Sequence, residues 1–153
     1  MTDPLRALIK VLDAEHAAVY AYGVVGARAG GARAAATAGY EAHRARRDQL
    51  RAMIRARGGT PSEAGAAYDL PFPVPTARDA ERLAAHVEER VTAAYLELAA
   101  VADPTLRRLA FTAMQESAVR GYGWHSPITA FPGRARAAAP APAVTPSPST
   151  TGP

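Results

Sequence analysis

GGTPSEAGAAYDLPFPVP, residues 58–75, decides the fold. Its 18 residues include four prolines, Pro61, Pro71, Pro73 and Pro75. It cannot form one helix, because proline lacks the amide donor and its ring clashes with the preceding turn. Extended, such a segment reaches roughly 60 Å, whereas a helix of about 25 residues is only about 38 Å long. It can therefore carry the chain from one end of a helical bundle back to the other. Tyr68, Leu70, Phe72 and Val74 give it apolar groups to lay against that bundle.

Working outward, each flank reads as helix. Before the segment, Ala36, Gly39, Tyr40, His43, Arg47, Leu50, Met53 and Ile54 recur at helical spacing from about Arg33 to Arg57. After it, Thr76 and Asp79 stand at capping-box spacing ahead of the stripe Ala80, Leu83, Val87, Val91, Ala94, Leu98 and Val101. A first helix opens at Asp3-Pro4 with the stripe Leu5, Leu8, Ile9, Leu12, His16, Val19 and Gly23, and Gly30-Gly31 ends it. A fourth opens at Asp103-Pro104 and carries Leu106, Leu109, Ala113, Ser117, Arg120 and Trp124, with Pro127 and Pro132-Gly133 beyond. The connections run short, long, short. An all-α four-helix bundle with one long crossover between helices 2 and 3 has ferritin-like topology, with those two helices parallel. The bundle is expected over residues 1–133. Residues 134–153, rich in Ala, Pro, Ser and Thr, hold no aromatic residue, leucine or isoleucine and read as a disordered tail.

Composition narrows the function classes. The chain has no cysteine, which excludes disulfides, zinc–thiolate sites and iron–sulfur clusters. No apolar run approaches the roughly 20 residues of a membrane span, and the N-terminus lacks a signal pattern, so a cytoplasmic location and no membrane partner are expected. The net charge is +4, and 17 of the 18 basic residues are arginine. The densest run, Arg44, Arg46, Arg47, Arg51, Arg55 and Arg57, lies on one helix without interleaved aromatics. It reads as a solvated face, with no nucleic-acid partner. No nucleophile–base pair or phosphate loop is present, so no catalytic residue is assigned.

The informative residues are polar ones on apolar stripes. At about 100° per residue, Glu15, His43, Glu88 and Glu116 each lie at or within about 60° of the inward face of a different helix, near its middle. Glu41 and Glu89 face away, and His86 and His125 fall off the stripes. Tyr22 and Tyr95 read as helix-edge or dimer-face residues, and Trp124 as closing one end of the bundle. Buried carboxylates need compensation. Two sources of it present themselves. One is a metal held by Glu15, His43, Glu88 and Glu116, with His16 as substitute ligand; carboxylate and imidazole donors suit iron or manganese. The other is a metal-free structural or interaction module in which Arg47 and Arg120 pair with the glutamates. A small-ligand pocket in the core is a third option.

The segments AEHAAVYAYGVVG (14–26), HRARRDQL (43–50), YDLPFPV (68–74), VEERVTAAY (87–95) and AVRGYGW (118–124) resemble the ferritin-like superfamily. More narrowly, they resemble an uncharacterised ferritin-like domain family of high-GC bacteria. The resemblance implies the four-helix fold and no established activity; since ferritin-like bundles often pair, it makes a homodimer an option. Dinuclear members use two lone glutamates and two Glu-x-x-His motifs. Glu15 and Glu88 match the lone glutamates, His43 the second-helix histidine and Glu116 the fourth-helix glutamate. Tyr40 stands where a glutamate is required and Val119 where a histidine is, and Arg120 brings a permanent positive charge close by.

Overall fold

The computed structural model describes residues 3–124. The tail expected at 134–153, the end of the domain at 133 and His125 lie outside these residues. Among the described residues there are four α-helices, α1 Pro4–Arg28, α2 Arg33–Ala56, α3 Ala77–Ala99 and α4 Pro104–Gly123. No strand occurs among the described residues.

The helix starts follow from local chemistry. Asp3 accepts from the Leu5 amide, and Asp103 accepts from Thr105 and Leu106, each with proline in the first turn. The Thr76 hydroxyl accepts from the Asp79 amide and donates to the Asp79 carboxylate. These bonds satisfy amides that a helix start leaves open. The α2 helix has no side-chain cap and follows directly on a 3-10 turn, Gly30–Ala32. It stops at Gly58, whose φ of +74° suits glycine. The Gly58 amide donates to Arg55 and the Gly59 amide to Ile54, closing the last turn.

Residue pairs between helices set their directions. Glu15 meets His43, and Tyr22 packs on Gly39, so α1 and α2 are antiparallel. Glu15 meets Tyr95 and Tyr22 meets Glu88, so α1 and α3 are antiparallel as well. It follows that α2 and α3 point the same way, joined by the connection 57–76. Arg46–Glu116 and Arg57–Asp103 run α4 antiparallel to α2.

That connection lies on the bundle. Ser62 donates to Asp13, and its carbonyl accepts from Arg51. Tyr68 packs on Tyr20 with ring centres 5.5 Å apart. Leu70, Phe72 and Val74 are partly buried against the core, and the Arg82 guanidinium sits 4.0 Å over the Phe72 ring. His86, read as off-stripe, is half-buried edge-on to Phe72.

The core is a leucine, alanine and valine interior with Leu8, Leu12, Leu50, Ile54, Leu83, Leu98 and Leu106 fully buried. Small alanines let the helices approach closely while the leucines fill the gaps, so apolar area leaves water along the whole bundle axis. The arginine run of α2 meets acids at nearly every step: Arg44 with Glu41, Arg46 with Glu116, Arg47 with Asp48, Arg51 with Glu63 and Arg57 with Asp103. No described helix is long and apolar enough to cross a membrane.

Candidate functional site

Three helices each send one ionisable side chain to the middle of the bundle. Glu15 from α1, His43 from α2 and Glu88 from α3 are each 1% exposed. His43 lies between the two carboxyl groups. Its Nδ1 is 2.7 Å from Glu15 Oε2 and its Nε2 is 3.1 Å from Glu88 Oε1. Tyrosines complete both ends. Tyr95 donates its hydroxyl to Glu15 at 2.7 Å, and Tyr22 donates to Glu88 at 2.5 Å. The Trp124 indole donates in turn to the Tyr22 oxygen at 3.0 Å. Arg120 reaches in from α4, with its Nε 2.9 Å from Glu88 Oε1.

The arrangement runs as one hydrogen-bonded chain from Trp124 through Tyr22, Glu88, His43 and Glu15 to Tyr95. Opposite charges balance within it: His43 and Arg120 against Glu15 and Glu88. Burial alone would push the His43 imidazole down, but its hydrogen bonds to Glu15 and Glu88, and their charge, raise it to about 9. It is therefore an imidazolium at neutral pH, donating from both ring nitrogens. Burial likewise works against a charged Glu88. The His43 bond and charge, Arg120 and Tyr22 outweigh it and hold this carboxyl below its ordinary range. Burial and the adjacent glutamate charges push both Tyr22 and Tyr95 upward, so their hydroxyls stay protonated donors.

Other residues singled out by periodicity lie elsewhere. Glu116 does not reach the centre; its half-exposed carboxylate pairs with Arg46 across the α2–α4 seam. Buried Ser117, one position on, occupies the inward place instead. Arg47 pairs with its neighbour Asp48 and makes no contact with the network. His16 is buried but turned towards the crossover, its Nε2 3.1 Å from the Ser62 carbonyl. A carbonyl accepts, so Nε2 carries the proton, and Nδ1 is buried without a partner. Tyr22 and Tyr95, read as edge residues, are instead fully buried members of the network.

As placed, these residues do not form a dinuclear metal set. Both His43 nitrogens are turned to carboxylates, Glu116 is committed to Arg46, and Glu88 Oε1 receives three donors. Among the described residues no group of three or more His, Asp or Glu side chains has the geometry to hold a metal ion. Besides His16 Nδ1, one acceptor within the network is left over: Glu88 Oε2 is buried without a hydrogen-bond partner.

Residues 7–136 match the family described as "Domain of unknown function (DUF4439)". The chain belongs to this family. Among solved structures, this DUF4439 chain is similar to a conserved hypothetical protein, rv2844, from Mycobacterium tuberculosis, at 36% identity and a TM-score of 0.77. The similarity covers 80% of this chain and 94% of that one. No curated protein matches the DUF4439 chain.

Proposed function

We propose that this chain is a ferritin-like bundle that works without a metal, as a structural or interaction module. In this reading its centre is a closed charge network and its outer helix faces make the functional contacts. The observation that carries this reading is the place of His43. An imidazolium that donates to Glu15 and Glu88 together supplies the positive charge which those carboxylates would otherwise draw from a metal. Its protonated nitrogens offer no lone pair to a metal or to a substrate proton. Arg120 adds the second charge, its planar guanidinium bonding to Glu88 through Nε.

A second reading keeps iron or manganese. It is favoured by the convergence of Glu15, His43 and Glu88 and by the unpartnered Glu88 Oε2. A metal would have to displace the proton at one His43 nitrogen, and the ring could then serve as a ligand.

Metal content separates the two. The protein is incubated with Fe(II) or Mn(II), desalted and analysed, and its thermal midpoint is read with and without chelator. The network reading expects well under one metal per chain and no chelator effect. One or two metals per chain, with a raised midpoint abolished by Glu15→Gln or Glu88→Gln, would replace it with the second reading. Arg120→Ala gives an independent test. Glu88 keeps its His43 and Tyr22 donors in that variant, and Arg120 is partly exposed. The expected loss is therefore about 1–3 kcal/mol, below that for a fully uncompensated buried charge. An Arg120→Ala protein that unfolds like wild type removes the guanidinium from the network.

A further inference from the structure

The large apolar side chains exposed on the described residues concentrate on one helix. Phe111, Val119 and Tyr122, all on α4, are 56%, 73% and 66% exposed. At about 100° per residue, Arg108, Phe111, Gln115, Val119 and Tyr122 fall within about 80° of one another. They lie opposite the arc of Leu106, Ala110, Ala113 and Ser117 that α4 buries in the bundle. The stripe therefore points straight away from the core. Three large apolar side chains exposed along one helix face, rather than singly around the molecule, point to an interaction face.

We propose that this face of α4 pairs with the same face of a second copy of the chain, antiparallel about a two-fold axis at Gln115. The stripe is self-complementary about that residue. Phe111 and Val119 stand four residues either side of it, about 6 Å along the helix, and Arg108 and Tyr122 seven residues either side. In a two-fold pair each Phe111 enters the layer of the other copy's Val119, and each Arg108 that of the other copy's Tyr122, where a guanidinium stacks on an aromatic ring. The two Gln115 amides meet on the axis and can bond to each other. A parallel pair would instead bring two Arg108 charges together. Arg108 is the one charged side chain on the stripe; the acid nearest to it around the helix, Glu116, is held by Arg46.

This pairing deepens the reading of the chain as an interaction module, and it uses no residue of the buried network. The metal test and the test below can therefore fail separately. One helix stripe offers less than the about 800 Å² per partner of a standard interface, so the dimer should dissociate on dilution, with a Kd on the order of tens of micromolar.

Sedimentation equilibrium of the full chain from about 5 to about 500 µM tests this. The mass should rise from 16.0 kDa towards twice that value. Phe111→Arg and Tyr122→Ser should each weaken association at least tenfold with the helical circular dichroism unchanged, since both residues are more than half exposed. The chain has no cysteine, so Gln115→Cys alone should give a disulfide-linked dimer on mild oxidation, and adding Phe111→Arg should suppress it. A chain that stays at its monomer mass throughout overturns the proposal and leaves this face to a different partner. A dimer that ignores both substitutions overturns it by placing the interface elsewhere.

Discussion

Tyr95 on α3 donates its hydroxyl to Glu15 on α1. Seven residues before Tyr95, Glu88 receives the hydroxyl of Tyr22, which stands seven residues after Glu15. The two antiparallel helices thus exchange the same pair of groups, Glu and Tyr two turns apart, about a local two-fold. His43 sits between the two carboxyl groups and bonds to both.

This exchange makes the two tyrosines energetically comparable. Each hydroxyl meets a buried carboxylate, a charge-assisted bond stronger than a neutral one. Tyr22→Phe and Tyr95→Phe should each cost about 1.5–3 kcal/mol in urea unfolding. Tyr22→Phe should also change the fluorescence of Trp124, the single tryptophan, because its indole loses the Tyr22 acceptor. Tyr95→Phe should leave that emission alone. Equal fluorescence changes in both variants would contradict the separation of the two ends.

The network should also give stability a defined dependence on pH. The His43 value is raised from 6.5 to about 9 by folding. A raised value means that the folded state holds the proton more tightly. The contribution is complete below about 6.5 and is lost as pH climbs through about 9, and it amounts to on the order of 3 kcal/mol. Glu88 is shifted downward, so its contribution is present above the ordinary carboxyl range and fades as pH falls through its folded value. Stability should therefore be greatest between about pH 5 and pH 6.5 and decline towards pH 9.5. Urea midpoints across this range measure it. In His43→Gln the decline on the alkaline side should flatten; if it persists undiminished, another group titrates there.

The helices and the inward direction of Glu15, His43 and Glu88 were legible because each stripe repeats over five or more turns, long enough to fix a face. The crossover was legible because prolines forbid helix at 71, 73 and 75. Neighbours across a seam were not legible. A helical wheel gives an angle, and successive residues differ by 100°, so it does not tell whether Arg46 or Arg47 meets a glutamate of the facing helix. In the structure Arg46 turns to the α4 seam and takes Glu116 with it, while Arg47 turns to Asp48. Small Ser117 then fits the crowded centre that Glu116 was expected to reach. Tyr22 and Tyr95 did carry a signal: Glu-x6-Tyr occurs at 15–22 and again at 88–95, and a spacing of seven returns to one helix face. Hydroxyls on the face of inward glutamates are partners before they are edge residues.

Close packing behind Tyr22 yields the sharpest test of the geometry. On helix propensity alone, glycine to alanine within a helix gains about 1 kcal/mol. At Gly23 on α1 a Cβ meets nothing within 4 Å, so Gly23→Ala should raise stability by roughly that amount or somewhat less. At Gly39 on α2 the same Cβ would run into the Tyr22 ring. That ring cannot retreat without leaving Glu88 and Trp124, to both of which its hydroxyl is bonded. Gly39→Ala should therefore destabilise by about 1–3 kcal/mol despite the propensity gain. It should also alter Trp124 emission as Tyr22→Phe does. The two alanine variants are expected to move the urea midpoint in opposite directions. If both raise it, Tyr22 does not fill the space beside Gly39, and the link from Trp124 to Glu88 is lost with it.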